Sequence, residues 1–362
     1  MASRKSNRKL RVGFVGTGGI AALQIKRFNS RKDVEVVALA DIDPANLERS
    51  LGNCPEATGY TDYRKMLRSE TLDAVSVCTP NRLHVGPTID AFKAGCHVLC
   101  EKPLAMTVAE GRRMARAAKA AGKSLVVGFQ YRLDPRTQYL KGAYDDGVFG
   151  EVLYGRVKAL RRRGIPNWGV FGQKALSGGG PLIDVGVHAL EMAHYTMGSP
   201  APISASADMF TYLGNRKSST RSQWQGWDHK TYDVEDLAVG RIRFSNGAVL
   251  HIECCYAAHI AERNLMNFQL MGTKGGATWE PTVIHTDEHG HMVDKTPAWL
   301  ASTEFVDVFN AKIDAFVEHT LRGALTAAPV EQGLMVQAML NGLYDSAAKG
   351  GKEVRSGPTT AR

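Results

Sequence analysis

Along residues 10–130, short runs of β-branched and apolar residues alternate with stretches whose apolar positions recur every three to four residues. LRVGFV (10–15), VEVVALAD (34–41), AVSVCT (74–79), HVLCEK (97–102) and SLVVGFQ (124–130) are apolar nearly throughout, as strands covered on both faces must be. Between them the helical period runs from GTGGIA (16–21) to about Ser30, over Pro44–Leu51, over Leu83–Ala94 before Gly95, and over Val108–Ala121 before Gly122. Strands joined in this way predict an α/β domain with a doubly wound parallel sheet.

After about residue 135 the period changes to two. EVLYGRVKALRRR (151–163), LAVGRIRFSNGAVLHIECCY (237–256) and FQLMGTKGGATWE (268–280) alternate along their length, and Asn246-Gly247 between two such runs signals a hairpin. The expected second domain is α+β, with a large, open, mostly antiparallel sheet and a few helices, one of them over 305–323. The boundary falls at Asp134-Pro135. This divides the chain into a basic arm (1–11), a dinucleotide-binding domain (12–134) and a substrate and oligomerisation domain (135–362). The polar stretch from Thr211 to Lys230, with its two tryptophans, reads as a long loop able to fold over a site.

Composition narrows the function classes. The 362 residues are 44% hydrophobic and 22% charged, which excludes fibrous and disordered readings. The 45 Lys+Arg against 36 Asp+Glu leave a net charge of +9, too little over this length to imply nucleic acid. The six cysteines (54, 78, 96, 100, 254 and 255) form no CxxC pair, so neither a disulfide scaffold nor a zinc site is expected, and no metal is. The basic arm leads into no signal-peptide core, and no apolar run approaches the roughly 18 residues of a membrane span. A cytoplasmic protein is expected, with no membrane partner.

Gly16-Thr17-Gly18-Gly19-Ile20-Ala21 is a GxGxxA motif set between a strand and a helix. Its first glycine permits a tight turn, the second lets backbone approach a pyrophosphate, and Ala21 allows close helix packing. Asp41 ends the next strand, where a carboxylate accepts hydrogen bonds from ribose hydroxyls and repels a 2′-phosphate; NAD is therefore expected in preference to NADP. Lys102 in Glu101-Lys102-Pro103, and Thr79-Pro80-Asn81 with His84 one turn on, end neighbouring strands at the rim where such sheets bind ligands. Asn81 either bonds the cofactor or caps the following helix.

In the second half, SGGGPLIDVGVH (177–188) puts Asp184 and His188 one helical turn apart, so the carboxylate can orient the imidazole for proton exchange with a hydroxyl. His194, six residues on, faces elsewhere and reads as structural. Arg161, Arg162 and Arg163 lead to Trp168, offering an anion contact and a flat face for a sugar ring. The acidic run Tyr232–Asp236 suits a neutral sugar instead, and a neutral monosaccharide, glycoside or inositol is the favoured expectation. Gln130 and Arg132 are further candidates for lining a cleft.

GTGGIA, Asp41, TPNRLH (79–84), EKPLA (101–105), GGGPLIDVGVHALE (178–191) and YDSAAKGGKEV (344–354) together resemble the Gfo/Idh/MocA family, named after glucose–fructose oxidoreductase and inositol 2-dehydrogenase. The resemblance covers most of the chain. It implies a Rossmann domain followed by an open-sheet α/β domain that often forms the oligomer interface, so that a homodimer or homotetramer is expected. It implies NAD(P)-linked hydride transfer at a secondary alcohol of a sugar, glycoside or polyol, with Lys102, Asp184 and His188 as the catalytic Lys, Asp and His. His188 would exchange the proton of the reacting hydroxyl, Lys102 would polarise its oxygen, and Asp184 would orient His188 or bind a neighbouring hydroxyl. The cofactor residues expected are Gly16, Gly18, Gly19, Ile20, Asp41, Thr79, Asn81, His84, Glu101, Lys102 and Gln130. The substrate residues are Lys102, Arg132, Arg163, Trp168, Asp184 and His188. Two alternatives share this fold: a redox-neutral NAD-dependent glycosidase and a non-catalytic sugar or dinucleotide sensor.

Overall fold

The computed structural model describes residues 8–222 and 224–358. Most of the expected basic arm, residues 1–7, lies outside the described residues. The chain forms two compact units, each assembled from separate stretches: Met1–Leu104, Glu110–Gly128 and Phe309–Val330 in the first, and Ala105–Ala109, Phe129–Val308 and Glu331–Arg362 in the second.

The first unit carries strands β1 (Leu10–Val15), β2 (Val34–Ala40), β3 (Thr58–Tyr60), β4 (Ala74–Val77), β5 (His97–Cys100) and β6 (Leu125–Val127). They form one parallel sheet in the order β3-β2-β1-β4-β5-β6, with the order reversing beside β1. Helices α1 (Gly19–Ser30), α2 (Pro44–Leu51), α3 (Tyr63–Ser69), α4 (Val85–Lys93) and α5 (Val108–Ala121) connect them. The doubly wound sheet read from the sequence is therefore present. β3 and α3 were not legible: Thr58–Tyr60 is an exposed three-residue edge strand with no apolar run to mark it. Helix α9 (Phe305–Arg322) joins this unit from Phe309 onward. Phe316 packs edge-on against Phe28, which packs edge-on against Phe14, and Asp314 pairs with Arg27 and Arg31 of the α1 end.

The second unit carries α6 (Pro135–Asp145), β7 (Val152–Arg161), α7 (Lys174–Ser177), α8 (Val187–Thr196), β8 (Pro202–Phe210), β9 (Leu237–Phe244), β10 (Val249–Cys255), β11 (Asn264–Gly272), β12 (Gly275–Thr278), β13 (Val283–Glu288), β14 (His291–Lys295), α10 (Val330–Ala347) and β15 (Val354–Arg355). Its nine-stranded sheet runs β14-β13-β12-β11-β7-β10-β9-β8-β15, antiparallel except between β7 and β10. Asn246-Gly247 does turn β9 into β10, with Gly247 at φ +88 as such a turn demands. His194 is buried, stacked on Phe244, with Nε2 on the Pro200 carbonyl at 2.8 Å; burial pushes its pKa down to about 4. All six cysteines are free and buried. Among the described residues no helix is long and apolar enough to cross a membrane, and no group of three His, Cys, Asp or Glu is placed to hold a metal.

One expectation fails here. Arg132, read as a substrate contact, is only 1% exposed: it pairs with the equally buried Glu191 of α8, reaches Gln332, and lies over the rings of Phe129 and Tyr195. Residues Gln130–Leu133 form a 3-10 turn rather than continuing a strand, and this turns Arg132 inward. Removing one partner of such a pair strands the other charge in the core. Arg132→Met is expected to lower unfolding free energy by about 3–5 kcal/mol, and the double replacement Arg132→Met/Glu191→Leu by much less. Urea denaturation of the three proteins followed by circular dichroism measures both differences.

Candidate active site

In the first unit the glycine loop is shaped by contacts that leave it open on one side. Gly16 sits at φ +85, and a Cβ there would lie 2.8–2.9 Å from the backbone of Cys78 and Thr79, so only glycine fits. A Cβ on Gly18 or Gly19 would meet nothing within 4 Å. Gly18 begins α1 without a side-chain cap, and the first turn of α1 holds no acidic residue, so the helix presents unshielded N–H groups there. Ile20 is half-buried in the same turn. Asp41 follows β2 and accepts from the Thr17 N–H (2.6 Å), the Thr17 hydroxyl (3.1 Å) and the Asp43 N–H (2.9 Å), which fixes its carboxylate beside the loop. Thr79 Oγ1, after β4, is enclosed with no hydrogen-bond partner among the described residues. An open helix N-terminus, a fixed carboxylate and an orphaned hydroxyl fit a dinucleotide.

His84 has a different part. Its ring is fully buried, with its nitrogens 2.9 Å from the carbonyls of Thr79 and Pro103, and burial lowers its pKa. It ties the loop after β4 to the loop after β5 and offers no ring atom to a ligand. Asn81 opens the short 3-10 turn that precedes α4, and its carbonyl accepts from the His84 N–H. Glu101 is buried as well. Its carboxylate takes the Gln24 amide at 2.7 Å, the Lys312 ammonium of α9 and the Lys102 N–H at 3.2 Å, while Ser76 holds Gln24 in turn. Burial raises its pKa, but the charge and hydrogen bond of Lys312 outweigh that and leave it below the ordinary value. Lys102, half-buried, extends from this anchored point.

Of the three glycines before Asp184 in the second unit, Gly178 ends α7 in the left-handed region at φ +90, and the other two serve close approach. A Cβ on Gly179 would lie 1.9 Å from the Tyr344 hydroxyl, and one on Gly180 would lie 2.3 Å from the Glu235 carbonyl. The buried Glu235 carboxylate accepts the N–H groups of Gly180 (2.9 Å) and Leu182 (3.2 Å) and the Tyr344 hydroxyl (2.8 Å). It thereby fixes a π turn at Leu182–Gly186 that runs straight into α8. Asp184, on that turn, accepts from Tyr256 at 2.8 Å; burial first and the Asp184 charge second keep the Tyr256 pKa well above normal, so it stays a donor. His188 is 8% exposed with Tyr131 edge-on at 5.2 Å. Tyr131, Tyr256, Tyr344 and Lys312 were not singled out from the sequence, because tertiary packing places each of them; Tyr344 opens YDSAAKGGKEV, but nothing local to that motif points to Glu235.

Other expected residues lie in this unit with differing exposure. Trp168 is half exposed and meets Trp224 edge-on at 4.9 Å, so the 211–230 loop closes onto the loop after β7, where Asn167 also bonds the Gln225 carbonyl. Arg163 is engaged with the Arg162 and Ala258 carbonyls and with His259. Gln130 is buried with Oε1 lacking a partner among the described residues. Each carboxylate of the acidic run at 232–236 is engaged by backbone: Asp233 accepts from the Lys174 N–H, Glu235 holds the glycine run, and Asp236 accepts from the N–H groups of Tyr212, Leu213 and Gly214.

Comparison with known proteins agrees with both halves. A family profile described as oxidoreductase family, NAD-binding Rossmann fold, of the Gfo/Idh/MocA group matches residues 10–129, and the group's C-terminal alpha/beta domain matches residues 141–355. D-glucoside 3-dehydrogenase of Escherichia coli (strain K12) is 38% identical over 353 residues, 97% of this chain and 99% of that protein. Myo-inositol 2-dehydrogenase of Thermotoga maritima is 26% identical, covering 90% of this chain and 92% of its own. A solved levoglucosan dehydrogenase in complex with NADH shares the fold, with a TM-score of 0.82 at 23% identity over 96% of this chain and 99% of that one.

The glycine geometry separates two effects. Gly18→Val places atoms in open space, so stability is expected to change by no more than about 0.5 kcal/mol while dinucleotide affinity falls. Gly179→Ala must displace Tyr344 and is expected to destabilise by about 1–3 kcal/mol. Thermal unfolding with and without added dinucleotide reads both.

Proposed function

The chain belongs to the Gfo/Idh/MocA family of oxidoreductases, and from that premise we propose that it is an NAD-dependent dehydrogenase that oxidises the secondary alcohol at position 3 of a D-glucoside. The observation that carries this reading is the 38% identity with D-glucoside 3-dehydrogenase along 97% of the chain. Oxidation of such an alcohol breaks a C–H and an O–H bond and forms a C=O bond, so the protein must accept one proton and stabilise charge on one oxygen. When bound, NAD supplies the acceptor for the hydride.

The proposed roles follow from the chemistry each residue offers. His188 takes the hydroxyl proton, a task suited to an imidazole because it exchanges protons near neutral pH. Lys102 donates a hydrogen bond to the same oxygen and stabilises its developing negative charge. The backbone bond from Lys102 to Glu101, and the hold of Gln24 and Lys312 on Glu101, fix the base of that lysine. Asp184, kept in place by Tyr256, orients a substrate hydroxyl or the imidazole. Gly18, Gly19 and the start of α1 receive the pyrophosphate, and Asp41 receives the ribose hydroxyls, which disfavours a 2′-phosphate.

Methyl D-glucoside with NAD is expected to give reduced cofactor at 340 nm together with a keto-glucoside. Release of methanol without accumulation of NADH would instead support the redox-neutral glycosidase, and no reaction in either readout with the protein saturated in NAD would sink both. His188→Ala and Lys102→Ala are each expected to lower kcat by roughly 10²–10⁴-fold with NAD affinity little changed. Asp41→Ser removes the ribose acceptor and is expected to weaken NAD binding by about 1.5–3 kcal/mol. Titration of NADH and NADPH fluorescence against the variant should show the preference for NADH shrinking or reversing.

A further inference from the structure

We propose that the second unit contains a subsite for an aromatic carboxylate, centred on Arg161, which takes the aglycone of the glycoside. A cavity of about 230 Å³ opens among Tyr131, Arg161, Val185, Leu265, Met266 and Phe305. It is smaller than the roughly 300–1,000 Å³ of a site for a whole drug-sized ligand, and so suits one ring. Aromatic and aliphatic side chains share its walls with Arg136, Asn264 and Thr303, and none of its lining residues is acidic.

Two arginines reach this cavity, and they differ in one respect. Arg136 is neutralised: it bonds both carboxylate oxygens of Asp134, pairs with Glu280, and lies over the Trp279 ring. Arg161 has no carboxylate within ion-pair distance among the described residues. Its guanidinium has the Gly164 carbonyl at a long 3.3 Å and lies over the Trp224 ring (4.9 Å) and the Tyr256 ring (5.8 Å). Two ring faces orient a guanidinium and leave its planar fork of donors available in the plane, the geometry that a carboxylate fills with paired hydrogen bonds. A half-buried cation without a counter-charge, beside the aromatic and aliphatic part of the cavity wall, favours a ligand that brings a single negative charge on an apolar body.

The cavity adjoins the proton-exchange residues by three routes. Tyr131 lines it and touches His188; Val185 lines it and follows Asp184; Arg161 lies over Tyr256, whose hydroxyl bonds Asp184. A glucose ring presenting its hydroxyl to His188 would therefore direct its substituent to Arg161. The sugar ring stays neutral and the charge resides in the aglycone, which resolves the conflict between the arginines and the neutral-sugar cues of the sequence. The placement of the sugar rests on the D-glucoside reading; the carboxylate subsite itself does not.

The test uses the full-length protein saturated with NAD. Benzoate binding is followed by tryptophan fluorescence, to which Trp224 should respond, with inorganic phosphate as the competing anion. Turnover is compared for 4-carboxyphenyl and phenyl β-D-glucosides. The expected results are benzoate binding that weakens at least tenfold in Arg161→Gln and is partly kept in Arg161→Lys, and a kcat/KM ratio favouring the carboxylate at least tenfold in the wild type and collapsing in Arg161→Gln. Equal benzoate binding by wild type and Arg161→Gln overturns the subsite, as does displacement of bound benzoate by an equal concentration of phosphate. A wild-type ratio near one, or an equal loss for both glucosides in Arg161→Gln, overturns it too, while leaving the glucoside reading intact. Arg161-dependent benzoate binding with no turnover of any glucoside upholds the subsite and rejects that reading.

Discussion

The second unit depends on one buried carboxylate. Glu235 sits in the core, where burial alone would drive it to the neutral form, and what holds it there is a set of donors: two backbone N–H groups and the Tyr344 hydroxyl. An unsatisfied acid at that depth would cost several kcal/mol, so the donors must come to it. That requirement explains two of the three glycines, since Gly179 and Gly180 have no room for a side chain against Tyr344 and Glu235. It also explains why the chain enters α8 through a π turn that places Asp184 beside Tyr256. The position of the candidate catalytic carboxylate is thus set by an acid whose partners are two backbone N–H groups and a tyrosine hydroxyl.

The first unit solves a similar problem with opposite means. Glu101 is likewise buried beside a candidate catalytic residue, but it is matched by an ammonium from α9, far away in sequence. A charged partner holds Glu101 in its ionised form, whereas the neutral donors around Glu235 leave its pKa raised. The pair ties the end of β5 to a helix whose other contacts, Phe316 on Phe28 and Asp314 on Arg27 and Arg31, fasten it to α1. Residues 309–330 therefore belong with the parallel sheet although they lie nearly two hundred residues beyond its last strand.

What could be read from the sequence divides along the same line. The parallel sheet, the β9–β10 hairpin and the long 211–230 loop were legible because apolar period, turn chemistry and polar composition are local signals. GxGxxA, Asp41, EKP and DxxxH were legible because their residues lie close together in sequence. The partners that position them were not: Lys312 for Glu101, Tyr256 for Asp184, and Tyr344 for the glycine run meet their targets through tertiary packing alone. Edge strands such as β3 escaped because they are short and exposed. The same limit misled the reading of His84 and Arg132, whose polar side chains invited a ligand role until their burial against carbonyls and Glu191 was visible.

Most charged side chains near the candidate site of the second unit are already satisfied by the protein itself. A polar residue in a motif is informative only when its hydrogen-bonding capacity is not already taken up by the protein. Asp236 is fully buried under three N–H groups of a tight turn, whereas Asp41 also accepts three donors but stays partly exposed; Arg163 is taken up by carbonyls, Arg136 by two carboxylates and the buried Arg132 by Glu191. Among the described residues, Thr79 and Gln130 retain an enclosed oxygen without a partner, and Arg161 has no carboxylate within ion-pair distance. An orphaned donor or acceptor costs stability in the folded protein unless a ligand completes it, so these positions keep capacity for a ligand that their satisfied neighbours lack. The residues that folding leaves incomplete therefore mark the functional surface better than the residues whose type alone suggests a function.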